Sequence, residues 1–226
     1  MSRYLIANNL KITVQQRKKQ LTLNRVPVAG IIVFVLLYYY SSSLYPGGSQ
    51  ESLESVGFDW VNNYWCNLMS EYGMNGQINE AQPFAIVAIV ILCFSVSIFF
   101  YQFTEVFIQD KYRKITIKVT GILSMIFASL IFTDYHDLMT ILSVLFGLPA
   151  VFGIVKETYY SELLGYKITG VGCIILLGVN NAIYFSTEFI EWLPLIQKLT
   201  FLIVLLWILG VNNEVRKRIG VSENSL

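Results

Sequence analysis

The sequence has few charged residues, a single histidine and only three cysteines. Charged residues make up 14% of its 226 positions, whereas roughly a quarter are charged in a soluble globular protein. One histidine is too few for most zinc sites, and three cysteines are too few for a disulfide scaffold. The net charge of +1 excludes a basic nucleic-acid-binding module. These shortages point towards a membrane protein.

Long apolar runs account for the missing charge. Apolar residues make up 55% of the chain, and the mean hydropathy is +0.57. About 20 such residues, at about 1.5 Å each, cross a hydrocarbon core of roughly 30 Å. Six runs have this character: 26–45, 83–103, 115–132, 138–155, 168–185 and 192–211. The sequence therefore predicts an all-α, polytopic membrane helix bundle with six transmembrane helices.

Basic residues are sorted to one side of these runs. Residues 1–26 carry six Lys or Arg and no acid, whereas the 46–82 connection carries five acids and no Lys or Arg. Because basic residues near a span are retained in the cytoplasm, both termini are predicted to be cytoplasmic. The expected divisions are a basic N-terminal segment, 1–25, a six-span membrane domain, 26–211, and a cytoplasmic tail, 212–226.

The outer loop, 46–82, contains a helical pattern. Apolar residues recur at 58, 61, 65, 68, 69 and 72, with polar residues on another face. This spacing predicts an amphipathic interfacial helix over 57–72 that lies over the outer ends of the spans. Its asparagines, Asn62, Asn63 and Asn67, are candidate binding residues.

A second polar group lies in the turn between the third and fourth predicted spans. Asp134 and Asp137 flank His136, whose ordinary pKa is near neutrality. With Cys66 on the same side of the membrane, these residues supply the thiol, imidazole and carboxylate of a nucleophilic site. His136, Asp134, Asp137 and Cys66 are therefore the candidate catalytic residues. The alternative is a structural hydrogen-bond cluster that joins the interfacial helix to the bundle.

Four further polar residues are candidate binding residues near the same side: Asn180, Asn181, Glu188 and Lys198. A lysine at mid-depth costs about 2.5 to 3.5 kcal/mol, so Lys198 must extend to the interface or find a carboxylate. At least one of the two asparagines is expected to hydrogen-bond to a neighbouring helix. The residues show no metal-ligand spacing, so neither a metal nor a cofactor is assigned.

Short motifs in the outer segments resemble a known group of proteins. The first is Asn63-Tyr64-Trp65-Cys66-Asn67-Leu68 in the first outer loop, and the second is the turn Asn75-Gly76 that follows it. The third is the segment 133–137, Thr-Asp-Tyr-His-Asp. In these the chain resembles an uncharacterised six-span bacterial integral membrane protein family of unknown function, distantly DRAM-like. The resemblance implies a six-helix bundle with a polar outer site in the bacterial cytoplasmic (inner) membrane. It implies no activity and no cofactor.

Three functions remain open at this point. The first is a non-enzymatic membrane protein whose outer polar site binds a lipid headgroup, an ion or a partner. The second is an intramembrane lipid-modifying hydrolase or transferase that uses His136 with Asp134 or Asp137, and Cys66 or water as the nucleophile. The third is a small-solute transporter. Membrane lipids are the expected partners, nucleic acid is not expected, and homo-oligomerisation is left open.

Overall fold

The computed structural model describes residues 15–160, 163–186 and 188–221. It is all-helical, with 77% helix and, within these residues, no strand. Its long helices are α1 (Arg25–Leu44), α2 (Gln82–Phe107), α3 (Lys111–Ala128), α4 (His136–Tyr160), α5 (Leu164–Ser186) and α6 (Leu193–Val221). Short 3-10 helices cover Trp65–Met69 and Ile190–Trp192. The predicted all-α class is confirmed.

Five of these helical stretches are long and apolar enough to cross a membrane. The exception, α3, carries Lys111, Arg113, Lys114 and Lys118 in its first eight residues. A membrane-spanning protein is therefore supported, whereas the multi-pass arrangement and the count of six spans stay predictions.

The helices at the chain ends are longer than the predicted spans. Residues 15–23 are helical and lead into α1, and α6 continues to Val221 instead of ending near 211. The side chain of Arg17 donates to the carbonyl of Gly220 at 2.5 Å, so the two extensions contact each other. Residues 1–14 of the predicted basic segment and 222–226 of the predicted tail lie outside the described residues.

Each helix packs against the next along the chain, and α6 returns to contact α2 and α1. Phe34, Phe99 and Phe103 are buried at the centre of this bundle. The outward faces are apolar as well: Leu36 and Phe94 are each 64% exposed. An extended exposed apolar surface would be unfavourable in water and suits contact with lipid.

Close contact between α1 and α2 fixes the base of the outer loop, because the loop connects these two helices. A Cβ added to Gly30 of α1 would lie 1.8 Å from the Oγ of Ser95 on α2. The glycine therefore lets the two backbones approach.

Basic residues of α3 form ion pairs with acids of neighbouring helices at one end of the bundle. Glu105 of α2 pairs with Lys114 and Lys118 at 3.1 and 2.5 Å, and Arg113 pairs with Glu157 of α4 at 2.5 Å. Both acids come from helices that pack directly against α3. Three basic residues in the first half of α3 are thus paired with acids of α2 and α4.

Two buried asparagines join α1 to α6 at this same end. The side-chain amide of Asn24 donates to the Oδ1 of Asn212 at 2.9 Å, and the amide of Asn212 donates to the carbonyl of Asn24 at 3.0 Å. The two residues are only 2% and 1% exposed. Their mutual hydrogen bonds therefore satisfy polar groups that have little access to water.

Replacing Asn212 with alanine should destabilise the bundle by about 1 to 2 kcal/mol, because Asn24 loses its buried partner. Unfolding of the purified protein in detergent, followed by helical circular dichroism, measures the change. The matched control is Asn213→Ala, at the exposed neighbouring position, which should change stability by less than about 0.5 kcal/mol. Equal losses in the two variants would contradict the role given to the pair.

Candidate functional site

The outer loop between α1 and α2 is folded, but it is not helical over 57–72. Only the 3-10 helix Trp65–Met69 forms there, and the rest consists of turns, bends and extended residues. The predicted amphipathic interfacial helix is therefore wrong. The turn predicted at Asn75-Gly76 does form, with Gly76 at a φ of 79° and its N–H donating to the carbonyl of Gly73 at 2.9 Å.

Side chains of Asp and Asn explain why the helical pattern fails. The Oδ1 of Asp59 accepts from the N–H of Val61 at 2.9 Å, and the Oδ1 of Asn63 accepts from the N–H of Asp59 at 2.8 Å. The Oδ1 of Asn67 accepts from the N–H of Tyr64 at 2.6 Å. Such side chains satisfy backbone groups without a helix, and here they override the apolar periodicity.

Two buried asparagines hold the loop from inside. Asn63 is 0% exposed, and its amide donates to the carbonyl of Gly48 at 2.9 Å. Asn79, which is 3% exposed, donates to three carbonyls within 67–70 at 2.8 to 3.2 Å. Asn63 thus stabilises the loop from inside. The half-buried Asn67 does so through its hydrogen bond from the Tyr64 N–H. Sequence reasoning missed Asn79; its place just before the proline-containing start of α2 was the available signal.

The predicted binding residue Asn62 reaches the loop surface and connects two carboxylates. Its amide donates to Glu51 at 2.7 Å and to Asp59 at 2.8 Å. Burial on its own would raise the pKa of Asp59, but the hydrogen bonds from Asn62 and the Val61 N–H hold that pKa below its ordinary value. The loop therefore keeps a charged carboxylate next to α6.

Lys198 and Gln197 attach the loop to the top of α6. The Nζ of Lys198 donates to the backbone carbonyl of Asn63 and lies 5.7 Å from the ring centre of Phe58. The Oε1 of Gln197 accepts from the N–H of Trp65 at 3.1 Å. Lys198 thus extends outward and meets a carbonyl instead of a carboxylate partner.

An aromatic layer lies directly beneath this attachment. The ring of Trp65 is 4.6 Å from that of Tyr38, 5.9 Å from that of Phe34 and 6.1 Å from that of Phe201. Trp60 packs on its other side at 6.3 Å. The polar contacts of Lys198 are with the backbone carbonyls of Asn63 and Pro194, whereas Phe201, three residues further along α6, packs in this layer.

Cys66 has the character of a packed thiol. Burial raises its pKa to about 11, so it is protonated at neutral pH. Among the described residues, no hydrogen bond joins Cys66 to His136. The three cysteines are free, and both Cys93 and Cys173 are buried inside helices. Within the described part of the chain, the geometry thus gives Cys66 no hydrogen-bonded histidine base.

The His136 corner forms a separate hydrogen-bonded group. The Nδ1 of His136 lies 3.1 Å from the Oδ1 of Asp137, and the hydroxyl of Tyr184 donates to that same oxygen at 2.5 Å. Tyr184 is also close enough to Tyr64 and Cys66 to interact with them electrostatically. The corner and the outer loop therefore lie at the same end of the bundle. Tyr184 was not among the candidate site residues that the sequence predicted.

The other predicted site residues are not gathered at one point. Asp134 and Glu188 are exposed, and Asn180 is half-buried. Asn181 donates to the carbonyl four residues earlier in its own helix, at 2.7 Å. Within the described part of the chain, no three or more His, Cys, Asp or Glu side chains are grouped to hold a metal ion.

Comparison with known proteins adds no assignment. No family model, no curated protein and no solved structure matches the chain. The resemblance to a six-span family therefore stays an expectation from short motifs, and function has to be argued from the geometry of the outer face.

Replacing Lys198 with methionine should loosen the outer loop, because the Asn63 carbonyl loses its donor while the chain length is kept. We expect amide hydrogen exchange across residues 59–67 to accelerate by at least threefold in the purified protein. Lys156→Met, an exposed lysine at the other end of the bundle, is the control and should leave this exchange unchanged. Unchanged exchange in Lys198→Met would contradict the attachment.

The raised pKa of Cys66 predicts slow alkylation. A shift from 9.0 to about 11 lowers the thiolate fraction at neutral pH about a hundredfold. Iodoacetamide labelling, followed by mass spectrometry, should therefore be slow at pH 8 and should accelerate up to about pH 11. Cys66→Ser defines the background from Cys93 and Cys173. Rapid labelling of Cys66 at pH 7 would restore it as a nucleophile.

Proposed function

We propose that the chain is a non-enzymatic, six-span protein of the cytoplasmic membrane whose outer face binds a phospholipid headgroup. The hydrogen-bonded residues His136, Asp137 and Tyr184, here called the Asp137 group, carry this proposal. This group joins α4 to α5 at the same end of the bundle as the outer loop. Both termini are cytoplasmic in this arrangement, and the outer loop faces away from the cytoplasm.

The sixth span is α3. Its 18 residues extend about 27 Å at about 1.5 Å per residue, close to the thickness of a hydrocarbon core. Its four basic residues occupy only the first eight positions, and three of them pair with acids of α2 and α4. Paired charges at one end of a helix fit the headgroup region, where such side chains are tolerated.

The orientation follows from the connections at the two ends. Those at the outer-loop end, 45–81, 129–135 and 187–192, contain no Lys or Arg. The opposite end carries basic clusters at 17–25, 111–118 and 216–218. This difference supports a cytoplasmic location for the basic end.

The group around Asp137 supports headgroup binding because it is organised yet accessible. The Asp137 side chain is 74% exposed although it contacts both His136 and Tyr184. Those contacts use the same oxygen, Oδ1. The other carboxylate oxygen is therefore left to accept a hydrogen bond from a ligand.

The charge of the surroundings selects the headgroup class. Asp134, Glu188 and the acids of the outer loop belong to the connections at this same end of the bundle, which contain no Lys or Arg, so an anionic headgroup would be repelled there. A zwitterionic headgroup with an amine suits this surface, since the amine can donate to Asp137 and the neighbouring tyrosines can contact it. We assign the site to phosphatidylethanolamine chemistry.

The two other functions have less support. A lipid-modifying enzyme retains only the His136–Asp137 contact, since Cys66 is protonated and has no hydrogen bond to His136 among the described residues. A transporter needs a polar path from Lys198 inward, whereas Phe201, about one turn further along α6, packs against Trp65 in the aromatic layer. Binding without chemistry therefore fits the outer face best.

The deciding experiment measures phosphatidylethanolamine binding to the purified, delipidated protein by native mass spectrometry. Asp137→Asn keeps the shape of the side chain but removes the charge that attracts the amine. We expect affinity to fall about fivefold or more, equivalent to about 1 kcal/mol.

The matched control is Asp134→Asn, which removes the same charge from the same exposed corner and should leave affinity within twofold. Equal effects of the two substitutions, or no effect of either, would overturn the proposal. A lipid product of altered mass that forms with the wild type and not with His136→Ala would favour the enzyme instead.

A further inference from the structure

A cavity lies at the opposite end of the bundle from the Asp137 group, between α1 and α6. Its volume is about 310 Å³, and it opens towards the surroundings of the protein. The buried Asn24–Asn212 pair forms part of its wall. The mutual hydrogen bonds of Asn24 and Asn212 hold α1 and α6 together at this part of the wall.

The cavity is lined by one face of each helix. From α1 come Arg25, Val28, Ala29 and Ile32, and from α6 come Leu209, Asn212, Asn213 and Arg216. Both sets follow the spacing i, i+3, i+4, i+7 that marks a single helical face. Since the two helices run in opposite directions, the start of α1 lies beside the end of α6.

This antiparallel arrangement separates polar from apolar lining. Arg25, Asn213 and Arg216 lie towards the end of the bundle, whereas Val28, Ile32 and Leu209 lie towards its middle. The cavity is therefore basic at one end and apolar at the other. A molecule that fits it has an anionic head and a hydrocarbon chain.

Among the residues that the structure describes, Arg25 and Arg216 form no ion pair. Neighbouring basic residues differ in this respect: Lys217 pairs with Glu214 at 2.7 Å, and Arg218 lies 3.9 Å from the ring centre of Phe107. Arg25 and Arg216 thus add positive charge to the lining of the cavity.

We propose that this cavity binds an anionic phospholipid of the leaflet at the basic end of the bundle. Arg25 and Arg216 hold the phosphate by charge-assisted hydrogen bonds, and Asn213 adds a neutral donor. One acyl chain lies against Val28, Ala29, Ile32 and Leu209. Basic cavities between membrane helices recognise anionic headgroups in this way.

The lipid is favoured over a free phosphate because half of the lining is apolar. A phosphate ion would contact only the arginine end and would leave Val28, Ile32 and Leu209 without a partner. The acyl chain of a lipid covers that part by van der Waals packing, which a phosphate ion cannot supply. The net negative headgroup also distinguishes this site from the outer one, where the connections carry acids and no Lys or Arg.

The test is native mass spectrometry of the full-length, delipidated protein titrated with phosphatidylglycerol. Wild type should bind it at least tenfold more tightly than phosphatidylcholine with the same chains. The double variant Arg25→Gln/Arg216→Gln should lose about tenfold in phosphatidylglycerol affinity and retain its thermal unfolding temperature, since both side chains are exposed.

Two further variants separate this site from general surface charge. Lys18→Gln/Lys19→Gln removes two charges from the same end, outside the cavity, and should keep the affinity within twofold. Ala29→Phe fills the apolar part while both arginines remain, and it should weaken phosphatidylglycerol binding by at least threefold.

Three results would overturn the proposal: equal affinity of wild type for the two lipids, equal losses in the arginine and lysine double variants, or full displacement of the lipid by millimolar inorganic phosphate. Phosphatidylethanolamine binding that depends on Asp137 is measured separately, so failure at one site leaves the other unaffected.

Discussion

The outer half of this protein depends on asparagine side chains that hydrogen-bond to backbone groups where no helix or strand does so. A connection of nearly forty residues crosses the outer ends of the helices and forms almost no regular structure of its own. Buried backbone groups must still find partners, and Asn63 and Asn79 supply them from within the loop. The loop thereby becomes a fixed surface, and Lys198 and Gln197 can attach it to α6. The position of the outer loop relative to the bundle follows from this attachment.

The two ends of the bundle differ in which groups contact their charged side chains. At the outer end, acidic residues are held by neutral donors: Asn62 contacts Asp59 and Glu51, and Tyr184 contacts Asp137. At the other end, basic residues of α3 are held by acids from neighbouring helices, while Arg25 and Arg216 line an amphipathic cavity. The proposed ligands follow this division, with an amine-bearing headgroup outside and an anionic phospholipid at the basic end.

Much of the architecture was predictable, because the length of an apolar run and the position of its flanking charges are local properties of the sequence. Each predicted span overlaps one helix, although α1 and α6 are continuous with helical extensions that tertiary contacts at Gly220 and Asn212 support. The predicted helix over 57–72 failed for a physical reason. Periodicity records which face can be buried, but it does not show that Asp59, Asn63 and Asn67 will satisfy the backbone with their side chains.

The sequence by itself determined that the chain is all-helical, that long apolar segments dominate it, and that acids and bases are sorted to different connections. Only the tertiary structure decided which polar residues meet. Asp137 and Tyr184 are 47 positions apart, and Asn24 and Asn212 are 188 apart, so no local pattern could pair them. It also decided that Cys66 and His136 belong to different groups. Contacts of this kind depend on how helices pack side by side, and that packing is fixed by shape complementarity over the whole bundle.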